Sequence, residues 1–259
     1  MSEYLDAAIE LALGAGRLLK QLEKERRTIT FKGEIDLVTD ADMKSEALVI
    51  EGIKGRFPGH DILAEEEGDF GIKSDYLWII DPLDGTTNYA HGFPIYSVSI
   101  ALEYKGEVIV GVVYDPNLDE LFTAEKGKGA FLNGSIVKVS EIGELDKSLL
   151  ATGFPYYFRE RPDLILQFFR GFSMRVQGIR RAGAATIDLT SLACGRFDGY
   201  WEFGLKPWDM AAGSLIAKEA GARITRFNGE DFDIRIPEIM ASNGLIHEHM
   251  LEVIKGLSG

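Results

Sequence analysis

Leu5, Ala8, Ile9, Ala12, Leu13, Gly16, Leu19 and Leu22 recur at helical spacing, while Glu10, Arg17, Lys20 and Glu23 fall off that stripe. The pattern predicts a docked amphipathic helix. Gly14 and Gly16 lie within it, with no strand before them and no third glycine at the dinucleotide-fingerprint spacing, so they predict close helix packing. Short extended pieces are expected at 28–31 and 37–38, and a second helix over about 40–56, ended by Pro58-Gly59. The apolar run Tyr76 to Ile80 predicts a buried strand, broken sharply by Asp81-Pro82-Leu83-Asp84-Gly85-Thr86. Two β-rich runs, 95–102 and 108–114, flank Lys105-Gly106 as a hairpin, and 121–123 adds a further strand.

Beyond about Leu145 the pattern alternates. Strands are expected at 149–152, 174–179, 199–202, 223–226 and 239–242, and helices at 164–172, 184–193, 207–220 and from 246 onward. The expected fold class is therefore mixed α+β and α/β. An N-terminal α+β part spans 1–145 and a C-terminal α/β part spans 146–259, joined near Gly143 by a linker too short for independent motion.

Composition narrows the classes. With 259 residues, 46% apolar and 27% charged, the chain matches an ordinary globular protein large enough to bury a rigid active site. Disorder and collagen-like structure are excluded. The 28 Lys and Arg against 41 Asp and Glu leave a net charge of −13, which repels phosphate backbones and anionic lipid. General nucleic-acid binding is disfavoured. Cys194 stands alone and forms no intrachain disulfide; with no secretory h-region, the expected compartment is the cytoplasm. No apolar run approaches the roughly 20 residues of a membrane span.

The most informative stretch is Asp81-Pro82-Leu83-Asp84-Gly85-Thr86-Thr87, two carboxylates three apart at the end of a hydrophobic strand. Proline fixes the turn, and both carboxylates with the Leu83 carbonyl can converge on one point, as a hard divalent cation requires. Gly85 lets the backbone approach a ligand, and a helix starting there would offer free N–H groups to a phosphate. The bland alternative is a capped loop with an Asp-Gly turn. Asp42, Glu65 and Asp209 are placed to join the pair, although Glu65-Glu66-Glu67 also reads as a solvated face and Asp209 as a helix cap. Carboxylates gathered in this way repel unless cations lie between them, and two or three Mg²⁺ ions would neutralise the cage.

The segments Trp78-Ile79-Ile80-Asp81-Pro82-Leu83-Asp84-Gly85-Thr86-Thr87-Asn88 and Trp208-Asp209-Met210-Ala211-Ala212-Gly213, followed by Glu219-Ala220-Gly221-Ala222, resemble the inositol monophosphatase family. The resemblance runs from Asp36-Leu37-Val38-Thr39 to Ala241-Ser242-Asn243-Gly244. It implies a layered αβαβα sandwich of the sugar-phosphatase type, usually homodimeric, with Mg²⁺-dependent, lithium-sensitive phosphomonoesterase activity. By position, it makes Glu65, Asp81, the Leu83 carbonyl and Asp84 ligands of the tightest ion, and Asp81, Asp84 and Asp209 ligands of a second. Asp42 would act on a third ion or bond Thr86. Glu65 and Thr86 would orient the attacking water, and the Gly85 and Thr86 amides would receive the phosphate.

On the substrate side the resemblance gives Glu202 the task of accepting hydrogen bonds from substrate hydroxyls, and Gly183-Ala184-Ala185 the loop bordering the ring. Many members carry Thr where this chain has Ala184. Arg180 and Arg181 are candidates for a second anion or a subunit contact. His247 and His249 lack zinc-site spacing and read as a solvent-facing helix, Cys194 as an inert buried thiol, and Phe154-Pro155-Tyr156-Tyr157-Phe158 as a pocket mouth or dimer surface. The leading function is hydrolysis of inositol 1-phosphate or a similar polyol or sugar phosphate by metal-activated water. Fructose-1,6-bisphosphatase, nucleoside 3′,5′-bisphosphate and histidinol-phosphate activities are the close alternatives. A partner-binding regulator associated with RNA polymerase or RNA is the alternative of another class.

Overall fold

The computed structural model describes residues 2–24, 29–31, 37–66, 68–69, 74–155, 159–160 and 162–257. Asp36, Glu67 and the stretch 156–158 of the aromatic run lie outside the described residues. Helix α1 (Glu3–Leu22) starts at Ser2, whose Oγ accepts from the Leu5 N–H at 3.3 Å. The pair β1 (Ile29–Phe31) and β2 (Leu37–Thr39) leads into α2 (Asp40–Arg56), β3 (Asp61–Ala64), β4 (Gly68–Asp69), β5 (Tyr76–Asp84) and α3 (Thr86–His91). A meander follows: β6 (Ser97–Tyr104), β7 (Glu107–Asp115), β8 (Glu120–Glu125), β9 (Ala130–Leu132) and β10 (Ser135–Val137). The remaining elements are β11 (Leu149–Thr152), α4 (Pro162–Ser173), β12 (Gly178–Arg180), α5 (Ala185–Ala193), β13 (Gly199–Phe203), α6 (Pro207–Glu219), β14 (Arg223–Thr225), β15 (Glu238–Ser242) and α7 (His247–Leu257).

Two sheets carry the architecture. One has the order β10-β9-β8-β7-β6-β5-β3-β4, antiparallel except where β3 runs parallel to β5; the other has the order β12-β11-β13-β15-β14. Strand alternation then sorts side chains into layers. Trp78 and Ile80 of β5, Ile100 and Leu102 of β6, and Val110 and Val112 of β7 meet Ala8, Leu19, Val49 and Ile53 of α1 and α2. Their neighbours Leu77, Ile79, Ala101 and Val113 face the other way, onto Leu189, Ala211, Ala212 and Ile216 of α5 and α6. Tyr200, Ile239 and Ala241 cover those helices from the second sheet, while Leu150, Trp201 and Met240 point outward to α4 and α7. The result is the αβαβα sandwich.

Three local expectations change. Pro82 does not end its strand: β5 runs on to Asp84, and between the pairs Asp81↔Ser99 and Asp84↔Ser97 three steps of β5 face two of β6. That one-residue bulge accommodates a residue without an N–H. The strand expected at 174–179 shrinks to Gly178–Arg180, because α4 reaches Ser173 and Arg175 caps it by donating to the Gly171 carbonyl at 2.8 Å. The β9–β10 hairpin was not foreseen, although Asn133-Gly134 at its tip has the two positive φ values, 48° and 79°, of a two-residue turn. Gly16 does pack closely, since a Cβ there would lie 2.4 Å from the Tyr114 ring.

Candidate active site

The end of β5 is held from below by α2. Asp42 Oδ2 accepts from the Thr39 N–H and Oγ1 at 2.8 and 2.6 Å, closing a capping box, and Asp42 Oδ1 faces Thr86 Oγ1 at 3.0 Å. Thr86 Oγ1 also lies 3.1 Å from the Leu83 carbonyl. One turn on, Ser45 Oγ donates to the Pro82 carbonyl at 2.8 Å, and Glu46 accepts from the Glu66 N–H at 2.9 Å. Two polar residues of α2 thus hold the motif, and a third holds Glu66 beside Glu65. Gly85 takes φ +96°, and a Cβ there would lie 2.9 Å from the Ile95 carbonyl, so glycine is required on both counts. Asn88 Nδ2 donates to the Ile95 and Ala182 carbonyls at 2.7 and 2.9 Å, tying α3 to the loop that carries Gly183.

A cavity of about 260 Å³ is lined by Glu65, Asp81, Leu83, Asp84, Gly85, Thr86, Lys206 and Asp209. Burial pushes the Asp81 carboxyl well above the usual carboxylate range, and the charges of Glu65, Asp84 and Asp209 push it further. Burial also raises Asp84, against hydrogen bonds from Thr186 and Ala185, and raises Asp209, against the Lys206 N–H. No Lys, Arg or His of the described residues forms an ion pair with Asp81, Asp84 or Asp209. Nor do three His, Cys, Asp or Glu groups among the described residues already stand together as a closed chelate. Each carboxylate instead leans on its own donor: Leu83 N–H on Asp81 at 3.0 Å, Thr186 N–H on Asp84 at 2.8 Å, Lys206 N–H on Asp209 at 2.7 Å. A set of oxygen donors whose charges repel one another fits a hard divalent cation such as Mg²⁺.

A second cavity of about 350 Å³ adjoins the first, sharing Asp84, Gly85, Thr86 and Asp209, and is walled by Gly153, Phe154, Pro155, Arg181, Gly183, Ala184, Ala185 and Glu202. Glu202 is buried, and burial pushes its carboxyl up to about 7, against the hydrogen bond that the Tyr200 hydroxyl donates at 2.5 Å. A Cβ at position 153 would lie 2.0 Å from the Glu202 carboxylate, so Gly153 makes the room it occupies. Arg181 stacks 5.8 Å from the Phe154 ring at the mouth, whereas the exposed Arg180 donates to the Ile179 carbonyl.

Sequence reasoning passed over Tyr200, Gly153, Thr186 and Asp188. Tyr200 was findable, since residues two apart on a strand share a face. Thr186 and Asp188 were not, because Asp84 and Glu202, the groups they lie beside, come from other elements of the chain. Asp188 is fully buried, neither oxygen has a hydrogen-bond partner among the described residues, and burial beside Glu202 and Asp84 pushes its carboxyl well up. Cys194 is half-buried, its thiol pushed up by burial. His247 is not solvent-facing: it is fully buried, with Nδ1 2.9 Å from Ser242 Oγ and Nε2 3.0 Å from Thr225 Oγ1. Thr225 gives its proton to the Arg226 carbonyl, so Nε2–H donates to Thr225 and Ser242 donates to Nδ1, the assignment that satisfies every partner. The helical stripe could not reveal this, because the two hydroxyls come from β14 and β15.

A model of the inositol monophosphatase family matches residues 1–257. The inositol-1-monophosphatase of Synechocystis sp. is 44% identical over 256 residues, covering 98% of this chain and 89% of that protein. The Nus factor SuhB of Vibrio cholerae is 44% identical over 246 residues, covering 94% and 92%. The inositol monophosphatase of Anabaena (Nostoc) sp. superposes with a TM-score of 0.90 at 45% identity, covering 98% of this chain and 95% of that one. Alike in sequence over nearly its whole length and alike in fold, the chain belongs to the inositol monophosphatase family.

Proposed function

We propose that the chain is a Mg²⁺-dependent phosphomonoesterase acting on inositol 1-phosphate or a similar polyol phosphate. The observation that carries this reading is the pair of adjoining cavities, one lined by Glu65, Asp81, the Leu83 carbonyl, Asp84 and Asp209, the other by Glu202. In it Glu65, Asp81, the Leu83 carbonyl and Asp84 would hold one ion, and Asp81, Asp84 and Asp209 a second; a third would lie toward Asp42. Bound Mg²⁺ supplies a water of lowered pKa and neutralises charge on the phosphoryl oxygens and the leaving oxygen. Asp42 holds Thr86 by its hydroxyl, and Thr86 with Glu65 would orient the attacking water. The Gly85 and Thr86 amides receive the phosphate. Glu202, kept in place by Tyr200 and Gly153, accepts hydrogen bonds from substrate hydroxyls, and the loop Gly183-Ala184-Ala185 borders the ring. Arg181 at the mouth supports activity on a second anionic group, as in fructose 1,6-bisphosphate. The resemblance supports a homodimer, and the lone Cys194 supports a reducing cytoplasm.

The test is phosphate release from inositol 1-phosphate, fructose 1,6-bisphosphate, adenosine 3′,5′-bisphosphate and histidinol phosphate, each with Mg²⁺ and with excess chelator. Release from inositol 1-phosphate that chelator abolishes is expected. Release unaffected by chelator would overturn the metal assignment. A second reading, a partner-binding regulator of transcription, is favoured by the 44% identity to a protein named Nus factor SuhB. Folded, Mg²⁺-binding protein that releases phosphate from none of the four esters and is retained by RNA polymerase would support it.

A further inference from the structure

The β5–β6 register sets Ser97 opposite Asp84, and α5 lowers Thr186 onto the pair from about 100 residues away. Thr186 contacts Asp84 Oδ2 twice, through its N–H at 2.8 Å and through Oγ1 at 2.6 Å. Asp84 Oδ1 receives one longer contact, from the Ala185 N–H at 3.3 Å. Behind Thr186, its Oγ1 lies 2.6 Å from Ser97 Oγ. Each hydroxyl has a single proton, and an ionised carboxylate only accepts. Thr186 therefore donates to Asp84, and Ser97 donates to Thr186. Ser97 and Thr186 are both 0% exposed, so water does not compete for these bonds.

The relay treats the two oxygens of Asp84 unequally. Oδ2 has both lone-pair directions filled by Thr186, and Oδ1 keeps acceptor capacity. We propose that Thr186, backed by Ser97, is a positioning residue that pins Asp84 Oδ2 to α5 so that Oδ1, which carries only the longer Ala185 contact, is the atom presented to both ions. The inference rests on the reading of Asp84 as a metal ligand. Partners behind metal ligands act in this way by fixing orientation, and their loss lowers metal affinity by about 10–100-fold.

Mg²⁺ binding to the full chain is measured by calorimetry, alongside thermal unfolding and phosphate release. Thr186→Val keeps the volume and removes the hydroxyl; binding at least about 10-fold weaker is expected. Thr186→Ser restores the hydroxyl and is expected to bind within about twofold of wild type, a rescue that a packing role for the methyl would not produce. Ser97→Ala removes no side-chain hydrogen bond to Asp84 and keeps the test open should Thr186→Val not fold. Affinity about threefold weaker is expected of it, and unchanged affinity overturns the relay. Wild-type affinity in folded Thr186→Val, or an equal loss in Thr186→Ser, overturns the positioning role. Wild-type protein that binds no Mg²⁺ overturns the reading of Asp84 itself, an outcome distinct from both.

Discussion

Tyr200 and Glu202 stand two residues apart on β13, so one face of one strand carries both the acid and the donor that restrains it. Burial lifts Glu202 to about 7 and the Tyr200 hydrogen bond holds it from going higher. Tyr200→Phe removes that restraint, and the pH above which Glu202 is ionised moves up. In steady-state kinetics the rise of KM for a polyol phosphate at low pH is expected to begin about one pH unit higher than in wild type, with kcat at pH 8.5 nearly unchanged. An unmoved KM profile would remove Glu202 from substrate recognition. Asp84 differs in kind, because it is read as a ligand of two ions at once. Asp84→Asn is expected to lower turnover by more than about 100-fold, beyond the loss typical of a supporting residue, and added Mg²⁺ is expected not to restore it. Wild-type turnover at saturating Mg²⁺ would show the cage to lie elsewhere.

Elements differ in how much of their task their own residues display. The span of α2 was readable from its helical run and Pro58-Gly59 stop, and the resemblance marked Asp42, yet periodicity alone assigns Asp42, Ser45 and Glu46, all buried, to solvent. They point inward to hold Thr86, Pro82 and Glu66. The strands β9 and β10 are three residues each, too short for alternation to register despite the Asn-Gly turn. The Asp81–Asp84 and Trp208-Asp209 motifs marked residues that do line one cavity, while Thr186 and Asp188 depend on neighbours no local pattern contains. The clearest consequence at this scale concerns α7, which His247 ties to β14 and β15. Burial lowers the imidazole to about 4, below its unfolded value of about 6.5, so the folded chain binds fewer protons in between. Its contribution is complete above about pH 6.5 and is lost as pH falls toward 4, on the order of 3 kcal/mol in all. Denaturant melts at pH 4.5 and 7 are expected to differ more for wild type than for His247→Gln; equal differences would place the pH dependence elsewhere.

Across the whole molecule, no helix among the described residues is long and apolar enough to cross a membrane, and a charge of −13 is carried with a buried acidic centre. Burial raises Asp81, Asp84, Asp209 and Glu202 above their unfolded values. Groups of this sign stabilise the fold when protonated and cease to do so as pH rises through their folded values. Above pH 6.5, where His247 is neutral in both states, chelated protein is therefore expected to melt at lower temperature as pH rises to 8.5. Mg²⁺ binding displaces those protons, so the increase in Tm that 10 mM Mg²⁺ produces is expected to grow over the same range, by about 2–4 °C for each kcal/mol gained. Calorimetric melts with and without chelator measure it, and a Mg²⁺ effect independent of pH would disconnect the cation from the buried carboxylates.

The central layer of the sandwich also sets a schedule. Asp84 lies in β5, whereas Thr186, which holds it, and the α5–α6 layer that covers Leu77 and Ile79 are about 100 residues later in the chain. At the roughly 5–20 residues per second of protein synthesis, about 5–20 s pass between the making of the two parts. For that interval the nascent first sheet has one bare apolar face and an acidic edge without its anchor. The same layer that makes the finished site rigid leaves the growing chain dependent on whatever shields that face as it leaves the ribosome.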